Sequence, residues 1–174
     1  EGLDIKKLKL SNLNLNDDKC MLQIYAMIKR PKTLLYSLDL SWAKLSAQHL
    51  MDLAEVLVEY PDTLRFLNLS YNSVCFHENS HDQLYDSMEF FHQLSQYLLA
   101  TYSLVHLDLS GLSFKDEQLC ALCHIIAKMP TLLAIHLCDI GINHSPDVRS
   151  QILEFFGISA EKYQDTRPDT NFRN

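Results

Sequence analysis

Apolar residues in this chain fall into two alternating patterns. The first is a short stretch in which leucines alternate with polar residues, clearest at Leu64–Val74, LRFLNLSYNSV. The same order returns at Ile5–Leu15, Leu35–Leu45, Leu104–Phe114 and Leu132–Ile142. Its last strand leucine is Leu10, Leu40, Leu69, Leu109 and Leu137, so the copies lie about 30, 29, 40 and 28 residues apart. In a strand, alternate side chains point to opposite faces, so the leucines turn into a core and the residues between them face outward. Each copy therefore predicts a short strand followed by a turn.

The second pattern has helical spacing and lies between the strands. A helix from Asp17 or Asp18 to about Lys29 places Met21, Leu22, Tyr25 and Ile28 inward. Ser46 caps the next, which runs to about Tyr60 with Leu50, Leu53, Ala54 and Leu57 inward, and Pro31 and Pro61 stop the two. Asp116 starts another, with Leu119, Leu122, Cys123 and Ile126 inward, stopped near Pro130. Ser145-Pro146-Asp147 opens one that carries Val148, Ile152, Leu153 and Phe156 and ends at Gly157. The wide spacing between Leu69 and Leu109 holds an insertion of about ten residues around Cys75–Asp82. Ser80 and Gln83 there form a capping box for a longer helix to about Ala100, with Leu84, Met88, Phe91, Leu94 and Leu98 inward.

Copies at matched offsets, each a strand, a turn and a helix, are the mark of a repeat architecture. The motif L-x-x-L-x-L-x-x-N-x-V at Leu64–Val74 and its siblings resemble the leucine-rich repeats, and the full helix per repeat resembles their ribonuclease-inhibitor-like class. The resemblance covers roughly residues 3–157. It implies an α/β fold: a right-handed solenoid, a horseshoe segment of about five repeats, with short parallel strands on the concave face and helices on the convex face. Residues 158–174 form a polar tail outside it, expected to pack on the solenoid or on a partner through Tyr163 and Phe172. The first repeat begins at Leu3, Ile5 and Leu8 with no polar cap before it, so its edge is expected to be covered by further chain or another subunit. In the turns, Asn72 alone supplies the motif's amide, which can bond to backbone in adjacent turns. Leu13, Ala43, Leu112 and Ile140 occupy its place elsewhere.

Composition narrows the functional classes. The chain is 47% hydrophobic and 21% charged, ordinary for a globular domain. A net charge of -7 is the wrong sign for a general nucleic-acid binder. No apolar run approaches the roughly 20 residues of a membrane span. Cys20, Cys75, Cys120, Cys123 and Cys138 are odd in number, and all but Cys75 sit at apolar positions of the pattern. They are expected to be buried free thiols in a reducing compartment, the cytoplasm. Cys120-x-x-Cys123 has no second pair to complete a zinc site, and it falls on a helix face.

Candidate chemistry is sparse. His77-x-x-x-His81, beside Cys75 and Asp82 and with His92 further on, has metal-ligand spacing on a helix. Without a third and fourth protein ligand it reads as a polar loop with two histidines, and no metal or cofactor is expected. The residues between strand leucines are Lys9, Asp39, Asn68, Asp108 and His136, flanked by Lys7, Ser37, Phe66, His106 and Ala134. On the other side run Ser11, Ser41, Ser70, Ser110 and Cys138. Ser110, His106 and Asp108 imitate a hydrolase triad, yet Ser and Asp recur at the same offsets in other copies, where they read as solvated positions of the motif. Trp42 and Tyr71, in equivalent turns beside Phe66, read either as local packing or as a small exposed aromatic patch, and aromatic residues concentrate binding energy at interfaces.

The resulting reading is a non-enzymatic protein–protein interaction scaffold, with a protein partner held on the concave face and ascending turns. Phe66, Asn68, Tyr71, Trp42, Asp39, Asp108, His106, His136, His77 and His81 are its candidate contacts. The family resemblance implies a subunit of a larger assembly, cytoskeletal or ciliary. It also implies two alternatives. One is regulation of a small GTPase in the manner of Ran GTPase-activating protein, although no arginine falls in a turn just after a strand. The other is inhibition of an enzyme, as in ribonuclease inhibitor, although a short arc of five repeats offers less surface.

The register is open to test. Leu69→Asp should abolish cooperative folding, because it buries an unpaired charge in the core. A melting curve like that of the unaltered protein would contradict the assignment. Asn68→Ala, on an outward position, should leave the curve nearly unchanged.

Overall fold

The computed structural model describes residues 5–30, 35–72, 81–140, 146–155 and 157, with backbone alone at 81–87, 146–147 and 149. Strands and helices alternate along them as β1 (Lys7–Lys9), α1 (Asp18–Ile28), β2 (Ser37–Asp39), α2 (Ala47–Glu59), β3 (Phe66–Asn68), α3 (His81–Ala100), β4 (His106–Asp108), α4 (Asp116–Ile126), β5 (Ala134–His136) and α5 (Pro146–Phe155). The strands form one five-stranded sheet in chain order, and every pair is parallel. Parallel neighbours need a long crossover between them, and α1 to α4 supply it.

Register follows the leucine pattern. Leu8, Leu38, Leu67, Leu107 and Ile135 stand opposite one another across the sheet. Leu38, Leu67 and Leu107 are buried, while the residues beside them in each strand are half-buried or exposed. One face of the sheet thus meets the helices, and among the described residues nothing covers the other. The next leucines, Leu40, Leu69 and Leu109, are buried in the same core as Leu50, Leu53 and Leu57 of α2, Leu94 and Leu98 of α3, and Leu119 and Leu122 of α4.

The helix boundaries have local causes. Asp17 caps α1 by accepting the Lys19 N–H at 2.9 Å, and Ser46 caps α2 by accepting that of His49 at 3.1 Å. Gln118 reaches back to the Lys115 N–H at 2.8 Å at the start of α4. Pro146 takes the first position of α5, and Gly157 follows its end with φ +70°. The insertion is partly spent on length: α3 has 20 residues, against 11 in α1 and 13 in α2. Tyr25 of α1 donates to the His49 carbonyl at 2.9 Å, and His49 Nε2 lies 2.9 Å from Asp18 Oδ1, so two polar contacts tie α1 to α2. Burial, with lesser help from Asp52 and Asp18, pushes the Tyr25 phenol far up and keeps it a donor.

Several expected positions differ. Leu22 is exposed and Ile24 takes its place inside, because the buried stripe of α1 runs Met21, Ile24, Tyr25, Ile28. Met88 is likewise exposed, since the face that meets the core carries Phe90, Leu94, Tyr97 and Leu98, with Phe91 packed at its margin. Of the described cysteines only Cys123 is buried; Cys20 and Cys138 are exposed and Cys120 is half-buried. Cys20 lies in the first turn of α1 off its buried stripe, and Cys138 lies two residues past β5, the last strand described. Cys75, His77, the Ser80–Gln83 box, the inward position of Leu84 and the tail at 158–174 fall outside what is described.

Asn72 is fully buried and all its amide groups are engaged. Its Oδ1 accepts the N–H groups of Ala43 at 3.1 Å and Leu45 at 3.2 Å; its Nδ2 donates to the carbonyls of Leu40 at 2.8 Å and Leu69 at 2.9 Å. One side chain therefore satisfies the turn after β2 as well as its own. Asn72→Ala orphans these buried backbone groups at about 1–3 kcal/mol each where water cannot replace the amide. It should cost about 3 kcal/mol or more in a urea titration; a loss below 1 kcal/mol would show that the turn relaxes without it.

Candidate functional site

The open face of the sheet carries a row of rings. The Lys7 ammonium lies 5.6 Å from the centroid of the Tyr36 ring. Tyr36 meets Phe66 edge-on at 6.3 Å, Phe66 lies 6.0 Å from His106, and His106 stacks on His136 at 4.9 Å. The row crosses the sheet from β1 to β5. Phe66 keeps 39% of its surface exposed, and His136 is exposed as well.

A second cluster stands at the edge where the strands end. The backbone there turns through a left-handed residue at every level: Asn12 (φ +61°), Trp42 (+55°), Tyr71 (+55°), Gly111 (+71°) and Asp139 (+52°). Each of the first four donates its N–H to the next level, to the carbonyls of Ser41, Ser70, Ser110 and Cys138 at 2.8 to 3.0 Å. The left-handed conformation extends the parallel ladder past the strands. Glycine, asparagine and aspartate reach it readily, but a bulky side chain there is uncommon. Trp42 and Tyr71 nevertheless occupy it, and they stack with centroids 4.4 Å apart and planes 13° from parallel. Tyr71 lies over Gly111, where an added Cβ would come within 2.5 Å of its ring, and its hydroxyl donates to Asp139 Oδ2 at 2.8 Å. That hydrogen bond, with slight desolvation and the carboxylate's charge, raises the Tyr71 phenol above its ordinary value. Trp42 remains 55% exposed.

Magnitudes decide what this pair is for. A left-handed residue costs roughly 1–2 kcal/mol, and two bulky ones bear it here. An aromatic stack is worth about 0.5–1.5 kcal/mol beyond its buried area. The strain offsets the stacking energy, and the buried ring area with the Tyr71–Asp139 hydrogen bond holds the pair in place. Backbone strain of this kind gathers at ligand-holding sites.

The expected contacts therefore separate into groups. Trp42 and Tyr71 come together at the turn edge. Phe66 does not join them: it begins its strand, Tyr71 lies beyond the other end, and its ring contacts are Tyr36 and His106. Asp39, Asn68 and Asp108 are half-buried and serve the turns. Asp39 Oδ1 accepts the N–H and hydroxyl of Ser41 at 3.0 and 2.7 Å, and Asn68 Oδ1 does the same for Ser70 at 2.9 and 2.7 Å. Asp108 accepts the Ser110 N–H at 3.0 Å. Ser41, Ser70 and Ser110 are buried, correcting the expectation that these positions are solvated, because each is covered by the turns beside it. Asn68→Ala should accordingly cost about 1 kcal/mol instead of nothing. The Ser110 hydroxyl accepts the Cys138 N–H at 3.1 Å while His106 lies against His136, so the triad imitation dissolves into separate contacts.

His81 is the first residue of α3, its side chain is not described, and His77 lies outside the described residues. Among the described residues no group of His, Cys, Asp or Glu has the arrangement of a metal site. No helix described is long and apolar enough to cross a membrane. Burial, with a small contribution from Cys120, pushes the Cys123 thiol up to about 11, which makes it a poor nucleophile. Tyr36, Gly111 and Asp139 belong to these clusters and were not anticipated. Aligning the residues one place after each serine, Asn12, Trp42, Tyr71, Gly111 and, after Cys138, Asp139, would have found the turn members. Three of the five are ready left-handed residues, and the two aromatics stand out against them. No family model matches the chain, and no curated protein matches it.

Two substitutions separate strain from stacking. Trp42→Asn relieves the strained backbone as it removes the stack, so its stability should stay within about 1 kcal/mol of the unaltered protein. Gly111→Ala meets both the Tyr71 ring and an unfavourable φ. It should cost about 2 kcal/mol or more and shift the emission of Trp42, the single tryptophan, in urea titrations followed by fluorescence. An unaltered emission spectrum would mean that Tyr71 does not rest on this glycine.

Proposed function

We propose that this chain is a non-enzymatic protein-binding module, a leucine-rich-repeat solenoid of the ribonuclease-inhibitor-like class. A protein partner lies along its open, concave sheet face and the turns at the strand ends. What supports this reading above all is the Trp42–Tyr71 pair, two stacked aromatic rings held in left-handed backbone, with Trp42 55% exposed and Tyr71 half-buried. Tryptophan and tyrosine dominate the energy of protein interfaces because they bury large, rigid surfaces at little entropic cost. The bare sheet face adds to the argument. On that face Phe66 and His136 are exposed and His106 is half-buried between them, rings that a protein partner could cover. The module serves as a subunit of a larger assembly.

The test is site-specific photo-crosslinking in the native cell. A crosslinker at Phe66 or His136 should capture a defined protein, and one at Glu55, exposed on α2, should not. Trp42→Asn should remove the product at Phe66 and weaken the purified pair by about 30-fold or more, as expected for loss of a 2 kcal/mol anchor. Capture from Glu55 alone, or capture indifferent to Trp42, overturns the reading.

A further inference from the structure

We infer that the β1–β3 end of the open sheet face seats an acidic, extended segment of the protein partner. This inference rests on the protein-binding reading and supplies the chemistry of the contact. Net charge alone points away from an anionic ligand, but its distribution points toward one. The first three strand-and-turn stretches, residues 5–15, 35–45 and 64–72, carry Lys6, Lys7, Lys9, Lys44 and Arg65, all exposed, against Asp39 alone, a balance of +4. The chain sums to -7, so everything outside these stretches sums to -11. The next two stretches, residues 104–114 and 132–140, carry Asp108 and Asp139 and no lysine or arginine. A basic end on an acidic molecule is a local field that draws in and orients a segment of opposite charge.

Geometry sets the register of that segment. Lys7 and Lys9 stand on either side of Leu8 in β1, opposite Ser37 and Asp39 of β2. Two residues apart on one strand face, they are separated by about 6.6 Å, the interval between alternate side chains of another extended chain. Carboxylates at alternate positions of that chain meet both ammonium groups. Asp39 does not exhaust Lys9. Its Oδ1 accepts the Ser41 N–H and hydroxyl, and its Oδ2 lies 3.6 Å from the Lys9 ammonium, whose side chain stays 76% exposed. An ammonium has three donors, so Lys9 has room for a second carboxylate. The Lys7 ammonium lies 5.6 Å from the centroid of the Tyr36 ring, and Tyr36 meets Phe66 of β3 edge-on. An apolar side chain of the same segment therefore lands on Phe66 beside the lysines. The basic strip spans three strands, about 10 Å. That suits a short acidic segment better than a nucleic acid, whose unbroken phosphates run on toward Asp108 and Asp139.

The test is a titration followed by fluorescence anisotropy in about 0.1 M salt, where charges act over about 10 Å. The full chain is added to a labelled, capped peptide in which glutamate alternates with glycine around one phenylalanine. Control peptides carry glutamine or lysine in place of glutamate. The glutamate peptide should bind saturably, and neither control should saturate over the same range. Lys7→Gln and Lys9→Gln should each weaken it about threefold, the span of one exposed ion pair, and together about tenfold. Both side chains are exposed, so the variants should melt like the unaltered protein. Lys128→Gln makes the same charge change at an exposed residue after α4 and should leave the midpoint within about 1.5-fold. Saturation by either control peptide, indifference to the Lys7 and Lys9 variants, or an equal loss with Lys128→Gln each overturn the inference. So does tighter binding of single-stranded oligothymidine, which would make the strip a seat for phosphates. If the glutamate peptide fails while crosslinking at Phe66 still depends on Trp42, the protein-binding reading survives and the acidic segment does not. If the peptides behave as expected and crosslinking fails, the basic seat stands and the wider surface falls.

Discussion

The spacing between hydrogen-bonded strands, about 4.8 Å, governs this molecule. Strands of three residues cannot hold a sheet alone; they persist because each is locked to its neighbours in register and continued by a turn locked in the same way. Everything carried at equivalent positions is then stacked at that spacing. On the inner side the repetition piles leucine on leucine into a continuous core with the helices. On the outer side it brings rings together, and the separations of 4.4 Å between Trp42 and Tyr71 and 4.9 Å between His106 and His136 are close to the strand repeat. Core and exposed ring row follow from one dimension.

The cost of such short strands is a large share of backbone groups at turns, and the chain satisfies them by different means at different levels. Asp39, Asn68 and Asp108 each fold a side-chain oxygen back onto the following serine N–H. Asn72 serves two turns at once from a fully buried position. These polar residues look outward in the alternation, yet their first task is structural. The aromatic pair has the opposite balance. It strains the turns in which it sits, and ring burial with the Tyr71–Asp139 hydrogen bond offsets that strain at the turn edge between β2 and β3.

Much of the architecture could be read before any coordinates. The leucine order placed one strand in each of its five copies, capping residues set the starts of α1 and α2, and Pro146 opens α5. A period of two or of three and a half is a local property, and local sequence suffices to place it. The errors have a common cause. Leu22 and Met88 are apolar at helical spacing but stand off the stripe that the neighbouring helices meet, and hydrophobicity alone does not say which of two adjacent stripes faces inward. Cys138 shares its row with buried serines but belongs to the last level described. Burial at the ends of a stacked array depends on neighbours, not on the residue.

The candidate site divides in the same way. Trp42, Tyr71, Phe66, His106 and His136 were legible as outward or turn residues because strand alternation assigns their side. That Phe66 joins the histidines and not the turn pair, that Tyr71 leans over Gly111 to reach Asp139, and that Asp39 is turned toward β1 were decided by tertiary structure alone. By itself the sequence determined which side of the sheet each residue would face, since that depends on its place along its own strand. Which residues would touch was left to the packing of one level on the next, because a contact is a relation between segments 30 to 70 residues apart, such as the 68 between Tyr71 and Asp139.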